Sequence, residues 1–402
     1  MNREKAWRLR QRMMSAALRV MKQREPHLLE GPGSVLQIPA VLEEKGITRV
    51  MLVTSAGFIR RGTLIPLMDK LAGMDIGCEV FSEVMPDPSV HCAEKLHSLY
   101  KATGCEAFIA AGGGSVIDCT KIAAALCVRS KTVRQMRGTL QVMHKLPLLI
   151  AVPTTAGTGS EATAAAVITD TVKGVHYKYA VSDPCLIPHI AVLDPVLSLS
   201  LPPHHTAATG MDALTHAVEA YTNLYASDNV KKHALTAVKM IFADLEKTYE
   251  DGSDLGRRGR MLKASYEAGI AFTNNFVGYV HALSHACGAL YGLGHGELNA
   301  AILPAVLEEY GEAVYGSLSE IAEAAGIEGQ DQKERARNLI SRIRAMNRYM
   351  GLDEKIRPLK QEDFEEIITR ALSEANPAYP VPVIWGYKEA ESVLRRLLAG
   401  NN

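Results

Sequence analysis

The sequence predicts an α/β domain with a Rossmann-like parallel sheet, followed by an all-helical domain. Short apolar runs rich in β-branched residues recur through the first half, and stretches with helical periodicity separate them. These runs are RVMLVTS (49–55), CEVFSEV (78–84), EAFIAAGG (106–113), LPLLIAVPTT (146–155) and HIAVLD (189–194). Beyond about Pro202 the patterns are long and helical, and β-rich runs nearly vanish. Buried strands that alternate with helices are typical of a parallel sheet covered on both faces.

The change of pattern places the domain boundary in LSLSLPP (197–203). We therefore expect an N-terminal α/β domain over residues 1–200 and a C-terminal helical domain over residues 201–402. The first 25 residues are basic and mildly amphipathic, and they predict a solvated helix docked on the body of the protein.

Composition excludes several classes of function. Lys plus Arg and Asp plus Glu each total 44 in 402 residues, so no net charge favours nucleic acid or a membrane surface. No apolar run approaches the length that spans a bilayer. The seven cysteines form no CxxC pair, which indicates reduced thiols and a cytoplasmic location.

Two loops follow predicted strands. In the first, Gly113, Gly114 and Ser115 lie between a strand and the start of a helix, where unpaired N–H groups can bind a phosphate. The alternative is a tight turn without a ligand. The second loop, PTTAGTGSEAT (153–163), carries hydroxyl groups suited to ribose, phosphate or carboxamide, and its alternative is a polar surface loop. Two such loops at strand ends fit the ligand crevice of open α/β sheets.

Histidines cluster in the second half of the chain. His281 and His285 are four residues apart on a predicted helix, and His295 follows between two glycines. Asp212 and His216 are also four apart on another predicted helix. A carboxylate with three imidazoles suits Fe(II), Zn(II), Ni(II) or Co(II). Taken singly, each histidine is more readily explained as a satisfied polar residue than as a metal ligand.

With these motifs, the sequence resembles the iron-containing (group III) alcohol dehydrogenase family from Gly31 to about Pro380. The segments that carry the resemblance are GPGSV, PDPSV, GGGSVID, PTTAGTGSEAT, DPVLSLSLP, ATGMDALTHAVEAY and VHALSHACGALYGLGHG. The resemblance implies a dehydroquinate synthase-like two-domain architecture. It also implies that the N-terminal domain binds a dinucleotide and the C-terminal domain binds the metal.

The resemblance implies a role for each candidate residue. The metal ligands are Asp212, His216, His281 and His295, and His285 beside them is catalytic, with a proton-handling or orienting role. The expected metal is Fe(II), with Zn(II) as the alternative. The residues implied to bind the cofactor are Ser55, Asp87, Gly113, Gly114, Ser115, Asp118, Thr154, Thr155, Thr158, Lys178 and Leu197. The cofactor is NAD(P).

Ser55 bears on the choice between NAD and NADP. Many relatives have an aspartate there, which repels a 2′-phosphate. This chain has Ser55, with Arg60 and Arg61 close behind, so we expect NADP(H) to be tolerated or preferred.

The implied activity is hydride transfer between the nicotinamide and a small uncharged alcohol or aldehyde, in a homodimer or larger homo-oligomer. Two alternatives are a glycerol-dehydrogenase-like polyol oxidoreductase and a dehydroquinate-synthase-like lyase. A lyase of that type needs cationic side chains for its phosphorylated, carboxylated substrate. Segments 204–226 and 274–299 contain no Lys or Arg. A third alternative, a protein that binds ligand without turnover, disagrees with the full ligand set.

Overall fold

The protein forms two compact units in the computed structural model, which describes residues 3–20, 24–172 and 175–399. The sheet unit comprises the described residues among 24–201, with 253–266. The helical unit comprises the described residues among 1–23, with 202–252 and 267–399.

The strands all lie in the sheet unit. They are β1 (His27–Glu30), β2 (Arg49–Val53), β3 (Gly77–Phe81), β4 (Ala107–Gly112), β5 (Gly138–Thr139), β6 (Leu148–Pro153), β7 (Ala165–Val172), β8 (Val175–Ser182) and β9 (Ile190–Leu193). The main sheet has the order β1-β9-β6-β4-β2-β3, and its pairs are parallel. This confirms the predicted parallel sheet and its five predicted strands.

Helices surround this sheet and form nearly all of the other unit. They are α1 (Arg3–Val20), α2 (Ile38–Glu44), α3 (Ala56–Arg60), α4 (Ile65–Ala72), α5 (Val90–Thr103), α6 (Gly114–Val128), α7 (Pro203–Thr222), α8 (Asp228–Glu250), α9 (Leu255–Asn275), α10 (Tyr279–Tyr291), α11 (His295–Tyr310), α12 (Tyr315–Ala324), α13 (Gln332–Tyr349), α14 (Phe364–Ala375) and α15 (Tyr387–Leu397). None of the helices in the described part of the chain is long and apolar enough to cross a membrane.

Both faces of the main sheet are buried. Successive side chains of a strand point to opposite faces, and in β4 Phe108 packs in one apolar cluster while Ile109 packs in another. The Phe108 cluster includes apolar residues of α5 and α6, and the Ile109 cluster includes those of α2 and α4. Burial on both faces explains why these strands are continuous apolar runs.

A smaller sheet contains a hairpin that the sequence patterns did not predict. Strands β7 and β8 pair antiparallel from Ala165↔Ser182 to Val172↔Val175, and β5 pairs parallel with β8. In β8, Tyr177 and Lys178 are exposed and Val181 is buried. This segment mixes polar and apolar residues, and it therefore lacks the continuous apolar run that is typical of the main strands.

The chain passes from the sheet unit to the helical unit between Leu201 and Pro202, but two segments depart from a simple division at residue 200. Helix α1 groups with the helical unit, where Arg8 donates hydrogen bonds to the carbonyls of Val381 and Pro382. Residues 253–266 group with the sheet unit, where Arg258 donates to the carbonyl of Leu201. Long-range polar contacts of this kind leave no signal in local sequence patterns.

Candidate metal centre and cofactor loops

Helix α7 carries two of the predicted metal ligands in a buried position. Residues four apart share one side of a helix, which places Asp212 and His216 together, with exposed fractions of 3% and 5%. The stretch from Gly210 to Thr222 is buried at every position. A carboxylate in such an environment requires a cation or hydrogen-bond donors to offset its desolvation.

His281 of α10 and His295, the first residue of α11, approach the same carboxylate. Asp212, His216 and His281 each offer a ligand atom within 4.8 Å of the others. The Oδ1 atom of Asp212 lies 3.8 Å from Nε2 of His281 and 3.6 Å from Nε2 of His295. Two ligands about 2.1 Å from one ion lie roughly 3–4 Å apart. The spacing therefore fits one metal ion.

Asn299 of α11 shows how strongly the polar atoms converge. Its Nδ2 donates to Oδ1 of Asp212 at 2.7 Å and lies 3.3 Å from Nε2 of His281 and 3.2 Å from Nε2 of His295. An amide nitrogen carries two hydrogens and cannot satisfy three acceptors at once. A metal cation can bind all three acceptor atoms at once, so these atoms fit a metal ion better than they fit the amide alone.

Glu219, one further turn along α7, orients His281. Its Oε1 accepts a hydrogen bond from the backbone N–H of Val280 at 2.7 Å, and its Oε2 lies 2.5 Å from Nδ1 of His281. A proton on Nδ1 leaves the Nε2 lone pair directed at Asp212. Burial lowers the pKa of His281 well below its ordinary value, which keeps the imidazole neutral as a ligand must be. Burial raises the pKa of Glu219 to about 8, and the backbone donors oppose that rise.

Replacing Glu219 with glutamine is expected to weaken metal binding about 10- to 100-fold, the usual cost of losing such a partner. The isosteric amide offers one acceptor oxygen in place of two, so Val280 and His281 compete for it. The measurement is metal retained by the folded variant against a competing chelator of known affinity.

The matched control is Glu267→Gln. Glu267 is also buried and also pairs with a histidine, His233, outside the set of candidate ligands. That variant should keep its metal, and equal metal affinity in both variants and the wild type would remove Glu219 from the site.

His285 lies beside the candidate ligands and has a different partner. Its Nδ1 is 2.8 Å from Oε1 of Glu374, which also accepts a hydrogen bond from the hydroxyl of Tyr379 at 2.9 Å. Its ring stacks on that of His295, with centroids 5.1 Å apart. The contact with Glu374 therefore orients the ring of His285 through its Nδ1 atom.

Four residues of this site were missed by the sequence analysis. Glu219 is seven residues from Asp212 and Asn299 is four from His295, so helical spacing contained a signal for both. Ser284, whose Oγ lies 3.1 Å from Nδ1 of His295, is three residues from His281 and had the same kind of signal, whereas Glu374 had none. Glu374 is 89 residues from His285, and only tertiary packing joins them.

In the sheet unit, the two predicted cofactor loops lie side by side. Strands β4 and β6 are neighbours with Gly112 opposite Pro153, so both loops leave the same edge of the sheet. The N–H of Thr154 donates to the carbonyl of Gly112 at 3.1 Å. Gly113 precedes the first residue of α6, which places Gly114 and Ser115 in the first turn, where helix N–H groups are unpaired.

Close packing of the loops explains two of the glycines. A Cβ atom at Gly114 would meet the side chain of Thr158 at 2.7 Å, and one at Gly113 would lie 3.4 Å from Oγ1 of Thr155. The glycines therefore let the threonine loop approach the start of α6, whatever ligand the loops bind.

Two of the predicted cofactor-binding residues, Asp118 and Leu197, make contacts within the sheet unit. One carboxylate oxygen of Asp118 accepts a hydrogen bond from the Ser160 hydroxyl and the other from the N–H of Val167 at 2.9 Å. Burial raises the pKa of Asp118. Leu197 packs in the apolar cluster that contains Ile109, so its side chain is not available to a cofactor.

Asp87 and Lys178 meet each other, with Nζ of Lys178 2.7 Å from Oδ1 of Asp87. Asp87 has a positive φ of 52°, which aspartate tolerates better than most residues. Ser55 follows β2, the parallel neighbour of β4, at the same edge of the sheet as the two cofactor loops and immediately before α3, and it pairs with Glu83 in an isolated antiparallel β-bridge.

Two family models match the chain, one in each half. The model described as iron-containing alcohol dehydrogenase matches residues 26–195, and the model for the C-terminal part of the Fe-containing alcohol dehydrogenase family matches residues 206–395. Together they cover nearly all of both units.

Curated proteins and solved structures agree with these matches. A choline dehydrogenase from Bacillus subtilis (strain 168) is 32% identical over 301 residues, 74% of this chain and 74% of its own length. A 1,3-propanediol dehydrogenase from Klebsiella pneumoniae is 32% identical over 372 residues, 91% of this chain and 95% of its own. A crystal structure of a 1,3-propanediol oxidoreductase superposes with a TM-score of 0.89 at 30% identity, covering 94% of this chain and 99% of the other.

Proposed function

The chain belongs to the iron-containing alcohol dehydrogenase family, and we propose that it interconverts a small uncharged alcohol and its aldehyde, with NADP(H) accepted as well as NAD(H). The protein is a metal-dependent, NAD(P)-linked alcohol oxidoreductase. The observation that carries the proposal is the meeting of Asp212, His216 and His281 around one point within the helical unit.

Asp212, His216, His281 and His295 would hold the metal. One carboxylate with three neutral imidazoles suits Fe(II), with Zn(II) as the alternative, and the absence of cysteine from the set argues against a structural zinc site. When bound, such an ion supplies Lewis acidity that polarises a carbonyl or lowers the pKa of an alcohol.

The remaining side chains of the site orient groups and handle protons. Glu219 fixes the ring of His281, and Ser284 lies at hydrogen-bond distance from the ring of His295. Glu374 holds Nδ1 of His285, so Nε2 is the atom of that ring available to exchange a proton with substrate or solvent. The nicotinamide carries the hydride chemistry itself.

The charge of the site supports a substrate without an anionic group. Segments 204–226 and 274–299 surround the candidate ligands in sequence and contain no Lys or Arg, while Glu219 and Glu374 add carboxyl groups. Two of the relatives are named for alcohols without a negative charge: choline is a cation and 1,3-propanediol is neutral. A phosphorylated or carboxylated substrate would find no Lys or Arg in these two segments, which disfavours a lyase. A polyol remains the second candidate substrate.

The test is metal analysis paired with an assay panel. Purified protein is loaded with Fe(II) under anaerobic conditions, and oxidation of NADH and of NADPH is followed with aliphatic aldehydes, glyceraldehyde and an anionic aldehyde. We expect turnover that depends on the metal and favours the uncharged aldehydes. Turnover restricted to the anionic aldehyde, or none with any carbonyl compound, would contradict the proposal.

The cofactor preference rests on Ser55 and one of the two arginines. A Cβ atom at Gly57 would lie 3.9 Å from Oγ of Ser55 and 3.3 Å from Nη1 of Arg61, so both polar groups flank the first turn of α3. The Arg61 guanidinium also stacks on the ring of Phe58, 4.7 Å from its centroid. This placement favours Arg61 over Arg60 as the partner of a 2′-phosphate.

We expect Ser55→Asp to lower kcat/KM for NADPH roughly 10- to 100-fold while that for NADH changes little, because a carboxylate repels the 2′-phosphate and removes a hydroxyl donor. Arg61→Ala should also lose NADPH activity, and Arg60→Ala is its matched control. The measurement is kcat/KM with both cofactors in all four proteins. A strong wild-type preference for NADH that Ser55→Asp leaves unchanged would contradict the idea.

We also propose a cytoplasmic location and a homodimer or larger assembly. All seven cysteines are free thiols, which supports a reducing compartment. The assembly rests on the family resemblance, and light scattering of the purified protein tests it.

A further inference from the structure

Two cysteines face each other where α5 packs against α6. The thiol of Cys119 donates a hydrogen bond to the sulfur of Cys92, with the two Sγ atoms 3.8 Å apart. Both side chains belong to or pack against the apolar cluster that covers one face of the main sheet. Other thiols have different partners: Cys127 lies against His97 and the carbonyl of Ala123, and Cys105 lies against Thr103.

The two thiols differ in accessibility and in acidity. Cys92 is partly exposed, whereas Cys119 is fully buried. The hydrogen bond from Cys119 lowers the pKa of Cys92 and outweighs the opposing effects of burial and of the charge of Glu83, and the same hydrogen bond and burial raise the pKa of Cys119. Cys92 is therefore the thiol that solvent reaches and that ionises first, and the thiolate is the reactive form.

We propose that Cys92 and Cys119 are an oxidisable pair that closes to a disulfide when the protein meets hydrogen peroxide. The Cys92 thiolate attacks peroxide, which forms a sulfenic acid on Cys92 and releases hydroxide as the O–O bond breaks. The sulfur of Cys119 then attacks the sulfenic sulfur. The S–O bond breaks, the Cys119 proton leaves with the hydroxyl group as water, and an S–S bond remains. Cys92 and Cys119 together lose two electrons, and peroxide gains them.

The two sulfur atoms already lie close to each other. A disulfide bond is about 2.05 Å long, so the sulfurs must approach by roughly 1.8 Å from their separation of 3.8 Å. The hydrogen bond already directs Cys119 at the sulfur it would attack. The disulfide would link α5 covalently to α6. Cys119 directly follows Asp118, whose carboxylate accepts a hydrogen bond from Ser160 of the threonine loop.

The experiment measures thiols in the folded, full-length protein. The protein is loaded with Zn(II), because iron would convert peroxide into radicals, and is treated with hydrogen peroxide and then catalase. Accessible thiols are alkylated before denaturation, and intact mass and peptide maps are recorded with and without dithiothreitol. The variants are Cys92→Ser and Cys119→Ser, with Cys119→Ala as the second substitution at the buried position.

The matched control is Cys127→Ser. Cys127 lies on the same helix as Cys119, and burial raises its pKa to about 11. Wild type and Cys127→Ser should lose the mass of two hydrogens, yield a peptide that links residues 92 and 119, and recover with dithiothreitol. The Cys92 and Cys119 variants should not form this link.

Three results would overturn the proposal. They are sulfinic acid on Cys92 of the wild type without the link, a loss of two hydrogens that persists in Cys92→Ser, and a Cys92 that peroxide leaves fully open to alkylation.

Discussion

Replacing His281 with alanine is expected to remove the bound metal and to lower kcat/KM roughly a thousandfold or more, since an ion contributes several kcal/mol to stabilising the reacting charge. His281 is 2% exposed, and its Nε2 lies 3.8 Å from Oδ1 of Asp212. Its loss also leaves the buried Oε2 of Glu219 without its contact to Nδ1 of His281. The measurement is metal content per chain and activity on the same preparation.

His205→Ala is the matched control for this variant. His205 lies on the same helix as Asp212 and His216 but is exposed, so its removal should leave metal and activity unchanged. A His281→Ala protein that retains stoichiometric Fe or Zn with normal turnover would show that the ligand assignment is wrong.

Replacing His285 with alanine is expected to lower kcat about 10²- to 10⁴-fold while the metal stays in place, the usual effect of removing a side chain that transfers a proton. The family resemblance places His285 outside the ligand set, and Oδ1 of Asp212 lies within 4 Å of Nε2 of His281 and of His295, whereas His285 pairs with Glu374. The measurement combines single-turnover kinetics with metal analysis. Loss of the metal together with the side chain would make His285 a ligand instead.

These two histidines show what the sequence predicted and what it could not. Helical spacing brought Asp212 next to His216 and His281 next to His285, because both pairs lie one turn apart. Spacing alone did not separate the roles of His281 and His285; the family resemblance did. The structure adds a physical difference, since Glu219 orients one ring and Glu374 the other. Those carboxylates come from distant parts of the chain.

In the fold, too, some elements could be predicted from the sequence and others could not. Strands buried on both faces are apolar throughout, so β2, β4 and β6 were visible in the sequence. The β7–β8 hairpin mixes exposed and buried positions and was missed. The glycine loop was recognised as a phosphate-binding candidate, but its contact with Thr158 depends on two strands being neighbours. Adjacency in a sheet follows from topology rather than from local pattern.

The hydrogen bonds of Glu219 have a consequence for which metal the protein contains. The carboxyl group binds Val280 and His281 through contacts made entirely within the protein, so the fold holds the ring of His281 in place before any ion arrives. Little conformational entropy is then lost on metal binding, and the chain need not unfold for one ion to replace another. Divalent ions compete for such nitrogen and oxygen sites according to their affinity and supply. The metal found in a purified sample will therefore depend on the growth medium and on exposure to oxygen as well as on the protein's own preference.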